Sequence, residues 1–80
     1  MKIRLLFFAV LRDIVGKSET DVEVPDGTRA ADLWQGLRGQ YQQLAAYAQP
    51  MTAVNESYVR PEVVLRDGDE VAFIPPVAGG

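Results

Sequence analysis

The residues with the clearest chemical use are the last six, Pro75-Pro76-Val77-Ala78-Gly79-Gly80. They read as an extended tail that presents the carboxylate of Gly80. Pro75 and Pro76 have no N–H group, so they stop sheet pairing and favour extended polyproline geometry. Gly79 and Gly80 remove every side chain beside the carboxylate, which suits it to a narrow channel. At ~3.3 Å per residue, six residues reach roughly 20 Å from the domain. A frayed terminus is the plain alternative. It leaves the double proline and the apolar Val77-Ala78 pair unexplained, so a presenting arm is the preferred reading.

Other chemistry is scarce. The 80 residues contain no cysteine and no histidine. This excludes a disulfide framework and a thiol nucleophile, and it removes the commonest general base and metal ligand. Lys2 and Lys17 are the only lysines, and neither sits in the apolar context that makes a nucleophile. Asp67-Gly68-Asp69 is acidic and would repel phosphate. It is also too short for a calcium loop and lacks the closing glutamate, so no bound metal or cofactor is expected. Asp26, Asp32, Asp67, Asp69 and Glu70 read as a solvated face, since acid–base work would also need a pocket. The net charge is −3 with both signs interspersed, which argues against nucleic acid and anionic membranes as partners. No apolar run approaches the ~20 residues of a membrane span, and no export signal is evident, so a cytoplasmic location is expected.

The elements that must hold such a tail follow from the apolar spacing. The length suits one domain over 1–80, with 75–80 as the tail. Lys2 to Ala9 reads as a strand with Ile3, Leu5 and Phe7 on its core face. Its other face runs Lys2, Arg4, Leu6, Phe8, from charged to apolar. A small two-layer domain has no second layer to spare, so a partner covering Leu6 and Phe8 is favoured over a loop folded across them. Val10 to Val15 suggests a short helical turn closed by Gly16. Glu19 to Val24 alternates with an acidic outer face, as in an edge strand antiparallel to the first. Thr28 is placed as the N-cap of the main helix. Ala30, Leu33, Trp34, Leu37, Tyr41 and Leu44 form its apolar stripe, with Trp34 as core anchor and a weakening near Gly39. Thr52 to Asn55 reads as a short strand, Asn55-Glu56 as a turn and Gly68 as a turn glycine. Glu70 to Ile74 is the last strand, with Val71 and Phe73 on one face and Ala72 and Ile74 on the other. The outcome is an α+β fold, a small mixed sheet with one main helix across one face. The two strands apolar on both sides are placed at the sheet centre and paired parallel.

Ile3-Arg4-Leu5-Leu6-Phe7-Phe8-Ala9, Leu11-Arg12, Val54-Asn55 and above all the run from Asp67-Gly68-Asp69-Glu70 to Gly79-Gly80 resemble the sulfur-carrier small subunits of molybdopterin synthase. Gly-Gly alone is weak; the final unit as a whole is specific. The resemblance implies a ubiquitin-like β-grasp fold. It further implies that an activating adenylyltransferase, related to the ubiquitin-activating kind, uses ATP to adenylate Gly80. A sulfur donor then converts the adenylate to a thiocarboxylate. The loaded tail would insert into the large synthase subunit, in a heterotetramer, and give its sulfur to cyclic pyranopterin monophosphate to build the dithiolene of molybdopterin. No catalytic side chain is needed on this chain, so it acts only as the sulfur-donating part of a sulfurtransferase complex.

By position, the family contact surface falls on Phe8 and Ile74 together with the tail, Pro75, Pro76, Val77, Ala78 and Gly79. Leu6 and Ala72 extend that patch on physical grounds. Arg12 matches a family arginine near the base of the tail, with a surface ion pair as the alternative. Three other readings stay open at this point. One is a sulfur carrier of the same fold serving thiamine, cysteine or tRNA thiolation; another is a ubiquitin-like protein modifier. The last is an interaction domain with an incidental tail.

Overall fold

The period-two alternation of the first eight residues becomes the axis of a five-stranded sheet. The computed structural model describes residues 1–47 and 50–75. In chain order these form β1 (Lys2–Phe7), α1 (Val10–Val15), β2 (Glu19–Glu23), α2 (Ala30–Gln40), a 3₁₀ turn (Gln42–Ala46), β3 (Met51–Val54), β4 (Ser57–Val59) and β5 (Glu70–Ile74). The sheet order is β2-β1-β5-β3-β4. β1 and β5 pair parallel, with Leu5 opposite Val71 and Phe7 opposite Phe73. Both neighbours are antiparallel, β2 against β1 and β3 against β5. The expected mixed sheet, its parallel centre and its acidic edge strand are all present.

One face of the sheet is closed by α2. Ile3, Leu5, Phe7, Val71 and Phe73 point inward and meet Ala30, Leu33, Trp34 and Leu37, with Leu11, Leu44 and Leu65 filling the margins. Trp34 is the anchor expected from the stripe, with its ring 5.3 Å from that of Phe73 at a tilt of 51°. Tilted aromatic pairs add roughly 0.5–1.5 kcal/mol beyond the area they bury. The helix ends at Gln40 and a 3₁₀ turn follows, so the weakening placed at Gly39 is found one residue later.

Thr28 is not the cap. Arg29 occupies the N-cap position in extended conformation, and the free donors of the first turn are satisfied from elsewhere. Ala30 N–H donates to the Val63 carbonyl and Ala31 N–H to that of Pro61, at 3.1 and 2.8 Å. The Asp32 carboxylate accepts from Arg29 N–H at 2.9 Å. The Thr28 hydroxyl turns back and donates to the Pro25 carbonyl at 2.7 Å. A neighbouring loop has displaced the side-chain cap, since it already presents two carbonyls to the helix start.

The acidic turn before β5 is structural. Asp69 accepts from Arg66 N–H at 2.8 Å and from Asn55 Nδ2 at 2.9 Å. The Asn55 side-chain oxygen accepts from Glu70 N–H at 3.0 Å. Asp67 accepts from Lys2 N–H at 2.7 Å, and Gly68 N–H donates to the Lys2 carbonyl at 2.8 Å. Asn55 and Glu56 both have positive φ, 50° and 71°, as a two-residue hairpin turn requires. The start of β5 is thereby tied to β1 on one side and to the β3–β4 hairpin on the other.

Two substitutions separate the observed helix cap from the expected one. Asp32→Ala should destabilise the domain by about 1 kcal/mol, because it removes the acceptor at the helix start. Thr28→Ala should cost less than half of that, its bond being exposed and outside the helix. Urea unfolding of both variants gives the comparison, and equal losses would contradict this cap.

Candidate functional site

The face of the sheet opposite α2 is where the sequence-derived residues gather. Side chains on this face come from alternate positions of every strand, so register decides which of them meet. Leu6 lies opposite Ala72, Ala72 opposite Ala53, and Ala53 opposite Tyr58. These four residues form a row across β1, β5, β3 and β4. Two large side chains flank two alanines, so the row is a trough with Leu6 and Tyr58 as walls and Ala72 and Ala53 as floor. The next row runs from Phe8, just beyond β1, to Ile74 and then Met51, with Ile74 paired to Met51.

The two rows line a groove of ≈ 290 Å³ with Glu56 and Glu70 at its polar end. Among the described residues nothing packs over it. Phe8 is 47% exposed, Met51 52% and Tyr58 68%, while Leu6 and Ile74 are half-buried. Three of the four large exposed apolar residues of the described chain therefore share one face; Val64 is the fourth. Covering the exposed half of a phenylalanine is worth about 1 kcal/mol, so this cluster stands ready to stabilise a complex. Further along the same face, Arg4 lies opposite Glu70 and Asp21, and the surface turns polar. Arg4 Nε is 3.4 Å from Asp21, an exposed pair that adds little stability.

Phe8, Leu6, Ala72 and Ile74 are thus brought together as expected. Met51, Ala53 and Tyr58 were missed. The Asn55-Glu56 turn sets Ala53 opposite Tyr58, but no local pattern places β3 beside β5, the pairing that brings them to Ala72 and Ile74. Pro75, half-buried, directly follows Ile74 at the rim of the second row. Pro76, Val77, Ala78, Gly79 and Gly80 lie outside the described residues, so the presenting arm is not observed. Arg12 is exposed on α1, which begins three residues after the end of β1 nearest Ile74. The ion pairs of the described residues involve Arg4 and the Met1 amino group, not Arg12.

No cluster of three or more metal-ligating side chains occurs among the described residues. The site is an apolar face beside the point where β5 hands the chain on to Pro75.

Comparisons with known proteins agree with this architecture. The ThiS family model matches residues 5–80. The molybdopterin synthase sulfur carrier subunit of Chlamydomonas reinhardtii is 39% identical over 83 residues, spanning 100% of both chains. That of Escherichia coli is 41% identical over 81 residues, covering 98% of this chain and 99% of its own. A Haloferax volcanii protein of known solution structure superposes with a TM-score of 0.88 at 30% identity, over 100% of this chain and 87% of that one. With a ubiquitin-like β-grasp sheet, one crossing helix and this span of similarity, the chain belongs to the ThiS family and, within it, to the molybdopterin synthase sulfur carrier subunits.

Proposed function

We propose that this chain carries sulfur as a thiocarboxylate on Gly80 and delivers it within a molybdopterin synthase. A free carboxylate is a poor electrophile. Attack of its oxygen on ATP gives an acyl-adenylate and releases pyrophosphate, and a sulfur donor then displaces AMP to leave the thiocarboxylate. The nucleophilic sulfur attacks cyclic pyranopterin monophosphate in the large subunit, and two such rounds supply the two sulfurs of the dithiolene. Activation falls to an adenylyltransferase that consumes ATP. This chain supplies only the carrier group and the surfaces that aim it.

The observation that carries the proposal is the uncovered apolar face lying beside the exit of β5. A tail that must enter another protein's active site needs a dock close to its base, and Leu6, Phe8, Ala72 and Ile74 provide one next to Pro75. The sequence logic supports the rest. Pro75 and Pro76 set an extended start, Val77 and Ala78 are small enough to thread, and Gly79 leaves room around the reacting carbon. Arg12 is assigned to the base of the tail, where its guanidinium would meet partner carbonyls or carboxylates. The large subunit is the proposed occupant of the face, in a heterotetramer with two large subunits at its middle.

Two experiments bear on this proposal. Incubation with ATP, a sulfur source and the activating enzyme should raise the intact mass by the difference between one sulfur and one oxygen. Deletion of Gly80, or Gly79→Trp, should abolish molybdopterin formation while leaving the unfolding curve unchanged. Full activity of the Gly80 deletion in a reconstituted synthase would overturn the carrier role. For the dock, Phe8→Asp should weaken binding to the large subunit by about 2 kcal/mol or more, as a charge placed in a buried contact does. Its effect on domain stability should be smaller, about 1 kcal/mol, because only half of the Phe8 ring is covered within the domain. Calorimetric titration showing unchanged affinity would remove this face from the interface.

A further inference from the structure

A second recess lies on the opposite layer of the molecule, and the dock does not use it. It occupies ≈ 360 Å³ between β2 and α2, with an apolar floor of Leu5, Val22, Val24, Leu33 and Leu37 and a helix wall on which Gly36 lies between Asp32 and Gln40. β2 is an edge strand, since it pairs only with β1. Val24 N–H donates to the Met1 carbonyl, and Phe7 N–H donates to the Ser18 carbonyl. Even-numbered residues of β2 therefore direct their backbone groups at β1, and Glu19, Asp21 and Glu23 direct theirs at the free edge. Side chains divide the same way. Thr20, Val22 and Val24 lean toward the recess, while Glu19, Asp21 and Glu23 stand on the outer face.

Gly36 is the second observation. A glycine inside a helix is unfavourable, and packing among the described residues gives no reason for it. A Cβ built at Gly36 meets no heavy atom within 4 Å. The missing side chain leaves the recess open along its helix wall.

We propose that the β2 edge and this recess bind an extended segment of a partner protein whose side chains alternate basic and apolar. Such a segment would add a sixth strand by pairing with the backbone of Glu19, Asp21 and Glu23. Every second side chain would enter the recess against Val22, Val24 and Leu33. The others would stand on the outer face beside the three carboxylates, which fixes their charge as positive. Arg4 lies 3.4 Å from Asp21 and 4.0 Å from Glu19, and the Met1 amino group 4.0 Å from Glu23. These are surface pairs of small worth that an incoming cation can share or displace. A second copy of this chain is disfavoured as the occupant, because β2 against β2 sets the same carboxylates against one another.

The test does not depend on sulfur transfer. The isotope-labelled full chain is titrated with a capped hexapeptide alternating arginine and valine, at low salt. Amide shifts should concentrate at Glu19, Asp21 and Glu23, and methyl shifts at Val22, Val24 and Leu33. Raising the salt to 0.5 M should weaken binding several-fold. Gly36→Leu fills the recess with a good helix former, so it should bind the peptide at least tenfold more weakly while melting at the same or a higher temperature. The matching peptide of alternating glutamate and valine should not bind. The proposal is overturned if Gly36→Leu binds as tightly as the parent, or if the glutamate peptide binds equally well. It is likewise overturned if the shifts fall on Leu6, Phe8 and Ile74 instead, or if only self-association of the chain is seen.

Discussion

The parallel pairing of β1 with β5 is the constraint on which the rest of the molecule depends. It joins the two ends of the described chain at the centre of the sheet, so Leu5 and Phe7 share a core with Val71 and Phe73. Both strands are apolar on both faces, yet the chain has only one main helix with which to cover them. α2 closes the inner face around Trp34, and among the described residues no second layer covers the outer face. A domain of this size cannot build that layer from its remaining residues. The open apolar face is thus a consequence of how the core is made, before any partner is considered.

The same pairing decides where the chain leaves. β5 runs alongside β1 toward the apolar end of the outer face, so Ile74 and Pro75 emerge next to Phe8. Asn55, Asp67 and Asp69 hold the other end of β5 through hydrogen bonds of 2.7–3.0 Å to Lys2, Arg66 and Glu70. A strand fixed at its start by such bonds has little freedom to slip, and a slip of one residue would exchange Ala72 and Ile74 with the core residues Val71 and Phe73. The acidic turn is therefore the register lock for the face.

Much of this was legible in the sequence because it rests on short-range patterns. Two-sided apolar strands belong at a sheet centre, and an acidic alternating strand belongs at an edge. The stripe from Ala30 to Leu37 needed only helical periodicity, whereas Tyr41 and Leu44 lie beyond the end of the helix. Gly16, Gly27 and Gly68 all take positive φ near 90°, where glycine is the favoured residue, and the turns were placed accordingly. What failed depended on distant partners. Thr28 has the composition of a cap, but Pro61 and Val63, more than 30 residues on, supply the carbonyls that the helix start uses. Met51, Ala53 and Tyr58 joined the apolar face through the pairing of β3 with β5, a non-local contact that the strands' own patterns do not reveal. The tail was legible as chemistry, since proline and glycine limit the backbone whatever surrounds them.

A chain with no histidine and no cysteine can still take part in sulfur chemistry if its own end is the reacting group. The demands on the fold then change. An active site must hold several side chains in fixed relation to a substrate, whereas a carrier must bring one carboxylate to different proteins in turn. The docking proposed for the apolar face suits that task, because burial of Leu6, Phe8 and Ile74 would be non-directional and would tolerate partners of different shape. Directional polar contacts cluster instead at the turn before β5 and at the start of α2, where they fix strand register and helix position. Specificity for the step then resides in the partner that activates or receives the terminal group, and this domain contributes a stable base from which the group is offered.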